Sequence, residues 1–125
     1  MFKNKIVIES LWDLFNQRRF EETAGFFDSS FVAEWPQSNE RFMGAKNFLS
    51  MNKAYPGEYE ITLLKLHCVD EKVISEVKII HDGKVLFALS FWEFKDGKIS
   101  RVIEYWADSY ERPQWRSQWV ERVFP

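Results

Sequence analysis

Three short turn signals govern the second half of this chain: Asp70-Glu71, Asp82-Gly83 and Asp96-Gly97, each followed by a lysine, Lys72, Lys84 or Lys98. They separate four runs, Glu58–Val69, Lys72–His81, Lys84–Phe94 and Lys98–Ala107, which are rich in the β-branched and aromatic residues that suit strands. Asp-Gly between such runs favours a two-residue hairpin turn, because its central residues must accept positive φ. Hairpins of that kind join antiparallel neighbours only, so an antiparallel meander is predicted. The doubled Asp-Gly-Lys is turn chemistry and not an internal repeat, since the strands around it do not match.

The first half reads as helices around one extended segment. Val7, Ile8, Leu11, Trp12 and Phe15 recur at three- and four-residue spacing, which places them on one helix face. Phe20, Ala24 and Phe27, with Glu21 and Glu22 in the first turn, predict a short second helix. Ser29–Trp35 reads as a strand that Pro36 ends, and Gln37-Ser38-Asn39 as a polar loop. A third helix is predicted from about Gly44, with Phe48, Met51 and Tyr55 on one face and Pro56-Gly57 as its stop.

The strand from Lys84 is apolar on both faces: Val85, Phe87, Leu89 and Phe91 on one, Leu86, Ala88, Ser90, Trp92 and Phe94 on the other. A sheet wetted on one side alternates apolar with polar, so this one is expected to be covered twice. A homodimer that buries Phe87, Leu89, Phe91, Ile103 and Tyr105 is the economical second cover. The aromatic content points the same way. Twelve Phe, six Trp and four Tyr, 18% of 125 residues, exceed what a plain core requires and leave rings to line a cavity or an interface.

A formal charge of −2 gives no basic face for phosphates, so no nucleic acid partner is expected. The single cysteine, Cys68, cannot form an internal disulfide, and neither His67 nor His81 has a ligand partner at zinc-site spacing. A reducing, cytoplasmic setting with no metal is expected. Glu9 and Asp13 interrupt the apolar run near the N-terminus, which argues against a signal peptide, and no stretch reaches membrane-spanning length.

Helix, helix, strand, helix and a long meander is the order of elements in the nuclear transport factor 2-like superfamily. Within it, Glu34-Trp35-Pro36-Gln37-Ser38, the segment from Phe91 through Asp96-Gly97-Lys98 to Ile99, and Glu104-Tyr105-Trp106 with Trp115-Arg116 beyond resemble the SnoaL-like, polyketide cyclase-like branch. The resemblance covers essentially the whole chain. It implies one α+β domain over residues 1–125: a cone-shaped curved antiparallel sheet wrapped around a pocket, with three N-terminal helices. It also implies a small-molecule pocket that needs no cofactor, for a small apolar or aromatic molecule. Two functions stay open, because such folds host many chemistries. One is a cofactor-independent isomerase, cyclase or dehydratase working by acid–base chemistry; the other is a non-catalytic ligand-binding or dimerisation module. The positions that ketosteroid isomerase fills with a tyrosine and two aspartates correspond here to Leu11, Trp35 and Ser90. Where the cyclases often carry Trp-Asp on the last strand, this chain has Trp106-Ala107, with Asp108 one residue further.

Glu104 is the candidate catalytic residue. Alternation puts it on one face with Val102 and Trp106, the face that the resemblance turns inward. A carboxyl among rings loses hydration and has its pKa raised, which suits a general acid or base; the competing reading pairs it with an arginine or leaves it at a wet edge. Trp12, Trp35, Trp92 and Trp106 are candidate ligand-binding rings, and Ser75 and Ser90 candidate orienting hydroxyls. Each ring has the competing reading of plain core. Glu34, opposite in facing to Trp35, is assigned to surface or interface. The tail, with Trp115 and Trp119 one turn apart after Pro113, is read either as a lid or as packing against the body or a partner subunit.

Overall fold

Helix α1 (Phe2–Asn16) buries Ile8, Leu11, Trp12 and Phe15, the stripe read from the sequence, and starts earlier than Val7. The structure is a computed structural model that describes residues 2–123. Asn4 explains the longer helix, since its side-chain amide donates to the Glu71 carbonyl (2.8 Å) and ties the first turn to a hairpin loop. The helix ends without glycine. Arg18 takes the left-handed position (φ 65), while the Arg19 and Arg18 amides close back on the Leu14 and Phe15 carbonyls. Its guanidinium lies 3.4 Å over the Tyr59 ring, a contact that offsets the backbone cost.

The predicted short second helix is present over Phe20–Phe26, wound as a 3-10 helix. Thr23 donates its hydroxyl to the Phe20 carbonyl (2.7 Å), and Gly25 adds no helical preference, so the tighter turn wins. Strand β1 (Phe27–Trp35) follows, then β2 (Glu40–Met43) and α2 (Ala45–Ala54). The strand β2 was not predicted. It carries one inward residue, Phe42, which packs against Trp35 and Phe48 at centroid distances of 4.9 and 5.9 Å. Four strands complete the sheet: β3 (Tyr59–Val69), β4 (Lys72–His81), β5 (Lys84–Lys95) and β6 (Lys98–Asp108), each within a residue of its predicted bounds.

The strand order is β2-β1-β6-β5-β4-β3. The meander is antiparallel throughout, but β1 joins it parallel to β6, so the sheet is mixed at one seam and not wholly antiparallel as predicted. The curved, unclosed sheet with its N-terminal helices makes the expected cone. The hairpin turns have the expected chemistry, with positive φ at Asp82 and Gly83 (49 and 82) and at Asp96 and Gly97 (48 and 80).

Gly57 holds a tighter position. At φ +84, an added Cβ would strike the Asp82 carboxylate and come within 2.8 Å of His81 Nε2. Gly57→Ala is therefore expected to cost about 1–2 kcal/mol in urea unfolding, the scale of a left-handed side chain. A neutral result would mean that the turn re-forms elsewhere. His81 itself is half-buried, not exposed as a turn residue would be: Tyr55 and Tyr59 pack edge-on against its ring at 5.1 and 6.3 Å. His67 is exposed.

Candidate functional site

Strand register arranges the inner face of the sheet in rows. The deepest row is apolar: Ala33, Val102, Trp92 and Val73 stand side by side on β1, β6, β5 and β4. The next is polar, with Glu104, Ser90 and Ser75 in line across β6, β5 and β4. Above it lie Trp106, Ala88 and Val77, and then Asp108, Leu86 and Ile79.

The polar row is closed by indoles. Trp35 Nε1 donates to Glu104 Oε1 (3.0 Å), and Ser90 Oγ donates to Glu104 Oε2 (2.7 Å). One strand further, Trp12 and Trp92 both donate to Ser75 Oγ, at 3.0 and 2.8 Å. Glu104, Ser90 and Ser75 are all buried. No arginine or lysine among the described residues pairs with Glu104. Burial pushes the Glu104 carboxyl above its ordinary value; the hydrogen bonds from Ser90 and Trp35 pull the other way and do not cancel the desolvation.

That shift has a signed consequence for stability. A carboxyl raised in the fold binds its proton more tightly folded than unfolded, so stability falls as pH rises from the ordinary carboxyl range to the raised value, then levels. Glu104→Gln removes this titration and keeps the size. Unfolding free energies followed across pH are expected to show wild type losing ground to E104Q over that interval. Parallel curves would mean that Glu104 is ionised without penalty.

Above the polar row lies a recess of about 370 Å³, open mouth included, lined by Trp12, Phe15, Asn52, Tyr55, Tyr59, Ile61, Ile79, Leu86 and Trp106. Helices α1 and α2 form one wall and the sheet the other. Its lining is mostly hydrocarbon and ring, with Asn52 and two phenols as polar exceptions, and its enclosed part is narrow, with room for about one water. A shallower hollow, open to solvent, shares Tyr55, Leu86 and Trp106 with it and adds Trp35, Gln37 and Asp108.

Residues 8–102 match the SnoaL-like domain. The chain belongs to the SnoaL-like family. No curated protein matches it. Among solved structures it is similar to a provisionally named ketosteroid isomerase from Kribbella flavida, at 30% identity over 97% of this chain and 90% of that one, with a TM-score of 0.87. It is also similar to an NTF-2 like protein of unknown function from Burkholderia xenovorans, at 26% identity, 97% and 95% coverage and a TM-score of 0.84. An LEH-like epoxide hydrolase from M. tuberculosis shares the fold, at 14% identity, 84% and 83% coverage and a TM-score of 0.69.

Within this SnoaL-like fold the candidate residues separate into two groups. Trp12 and Trp106 line the recess, and Trp35 lines the outer hollow. Glu104, Ser75, Ser90 and Trp92 sit below it in the hydrogen-bonded rows, with none of the four in the recess wall. Sequence reasoning missed Asn52 and Tyr59 and read Tyr55 only as a helix face. The usable signal was a pair of tyrosines, Tyr55 and Tyr59, flanking the Pro56-Gly57 break. Among the described residues no three His, Cys, Asp or Glu side chains stand close enough to hold a metal ion, and no helix is long and apolar enough to cross a membrane. The tail forms a 3-10 turn (Gln114–Trp119) with Trp115 and Trp119 72% and 71% exposed, so neither ring covers the recess or packs on the body in this chain.

Proposed function

We propose that this SnoaL-like domain binds a small apolar or aromatic molecule across the recess between Trp12 and Trp106 and the open hollow that shares Tyr55, Leu86 and Trp106 with it, with Glu104 as a fixed element of the wall's foundation. The observation that carries this reading is the row order: the recess wall is ring and hydrocarbon, while both Glu104 oxygens are occupied one row below. Such lining excludes water and rewards shape, as ligand pockets do. The ketosteroid isomerase name of the Kribbella protein, a similar chain, agrees with a hydrophobic ligand. The acid–base reading draws on the raised Glu104 pKa, and it requires a substrate to displace Trp35 or Ser90 from the carboxyl.

Native mass spectrometry of protein purified without added ligand tests the two readings. A small organic adduct is expected that survives E104Q and is lost when Ile61→Trp fills the recess. Loss in E104Q alone would move the site to the carboxyl and restore the catalytic reading.

We also propose that the outer face of the sheet pairs two copies. Leu89 and Tyr105 are 38% and 41% exposed there, beside half-buried Phe87, Phe91 and Ile103. Glu34 joins Arg101, with Arg41 (3.5 Å) and Glu93 (4.0 Å from Arg101) alongside, and gives this apolar patch a charged border. An apolar centre with a charged rim is the anatomy of a subunit contact. Light scattering at micromolar concentration is expected to give twice the chain mass, falling to one in Leu89→Glu; a wild-type monomer would overturn the pairing.

A further inference from the structure

We infer that the open hollow beside the recess takes the cationic end of the ligand, an alkylated ammonium carried on the apolar or aromatic frame. The inference rests on the recess and hollow being the binding site. Its basis is the way two tryptophans and two carboxylates share the inner face at the open end of the sheet. Glu40 stands opposite Trp35 in the β1–β2 pair, and directly opposed antiparallel residues project to the same face. Asp108 lies two residues beyond Trp106 on β6, so alternation sets it on that face too. All four line the hollow, together with Tyr55 from just beyond α2.

The two indoles offer the hollow ring carbon and not N–H. Trp35 Nε1 is turned down to Glu104 (3.0 Å), and Trp106 Nε1 is shut away from solvent. Their rings meet edge-on at 5.6 Å with planes 72° apart, a corner held in place where the Trp106 backbone N–H donates to Gln37 Oε1 (2.6 Å). The charged side chains of the lining, Glu40 and Asp108, are both acidic, and among the described residues neither is in an ion pair. A wall of ring carbon and unspent negative charge, with no lysine or arginine in it, is complementary to a cation: the π systems attract it through their quadrupole and the carboxylates through their charge. An alkylated ammonium suits the hollow better than a bare one, because its methyl groups meet carbon and it has few N–H groups to leave unpaired. The hollow is open to solvent and gives such a head about 300 Å³.

Two probes of one shape and different charge decide the matter: 3-hydroxyphenyltrimethylammonium, and 3-tert-butylphenol, in which carbon replaces the charged nitrogen. In 15N-labelled protein, at a slightly acid pH where both phenols are neutral, the tryptophan indole signals are assigned by single Trp→Phe variants and followed during titration with each. The expected result is that the cation binds about tenfold more tightly than the phenol and moves the Trp35 and Trp106 signals. The double variant Glu40→Gln, Asp108→Asn should erase the preference. Should that variant fold poorly, added salt, which screens exposed charges, should shrink the preference in the wild type. Equal affinities, tighter binding of the phenol, or a preference that outlasts the double variant, or added salt where that variant misfolds, overturn the cationic reading while the site itself stands. If neither probe moves the Trp12, Trp35 or Trp106 signals, the binding site is misplaced, and both readings fail.

Discussion

Ser75→Ala is expected to destabilise the protein by about 2–6 kcal/mol, because it orphans two buried indole donors at once and each costs about 1–3 kcal/mol. The Ser75 hydroxyl oxygen is the acceptor for both Trp12 and Trp92, whose rings meet edge-on at 6.1 Å. Alanine fits the space, so strain plays no part and the loss is one of polarity. Urea unfolding measures it, and a cycle with Trp92→Phe apportions it. In that background one of the two orphans is already gone, and Ser75→Ala should cost about 1–3 kcal/mol less. A loss below about 1 kcal/mol in the wild-type background would show that water enters and re-pairs both donors.

Phe48→Ala carries the other large effect, about 3–5 kcal/mol. Phe48 is 1% exposed on α2, and its ring meets Phe15 at 6.5 Å, Phe27 at 6.2 Å, Phe31 at 5.4 Å and Phe42 at 5.9 Å. It therefore holds α1, β1 and β2 together at one point, and no neighbour can swing in to fill a hole bounded by four other rings. Phe48→Leu keeps most of the volume and should cost much less. Equal losses for Leu and Ala would mean that ring geometry, and not volume, is what the site requires.

The sheet was legible because Asp82-Gly83 and Asp96-Gly97 demand a backbone that only a tight hairpin uses, and period-two alternation then fixed which residues face inward. That alternation also placed Glu104 and Ser90 on the inner faces of their strands, and the register is what brings the two side by side. What alternation cannot supply is depth. It places Glu104 and Trp106 on the same face without saying that one lies beneath a lid of indoles and the other borders open space, since that depends on how α1 lays Trp12 across the sheet. The strand β2 escaped notice for another reason: Glu40-Arg41-Phe42-Met43 has a single inward residue, too few for any period. The parallel seam was hidden because nothing local in Phe27–Trp35 records which strand it joins.

That seam has a kinetic consequence. Every other contact between neighbouring strands is closed by a turn, so β3 to β6 can zip as successive hairpins. In contrast, β1 reaches its partner only by closing a loop across most of the chain, with Val32 meeting Arg101 and Ala33 meeting Val102. Long-range closure is the slow class of event in folding. During that interval β6 is a bare sheet edge carrying Val102 and Ile103, the kind of template on which another unfinished chain can pair. Aggregation during refolding is thus expected to depend on how fast the first strand arrives and far less on how quickly the meander forms.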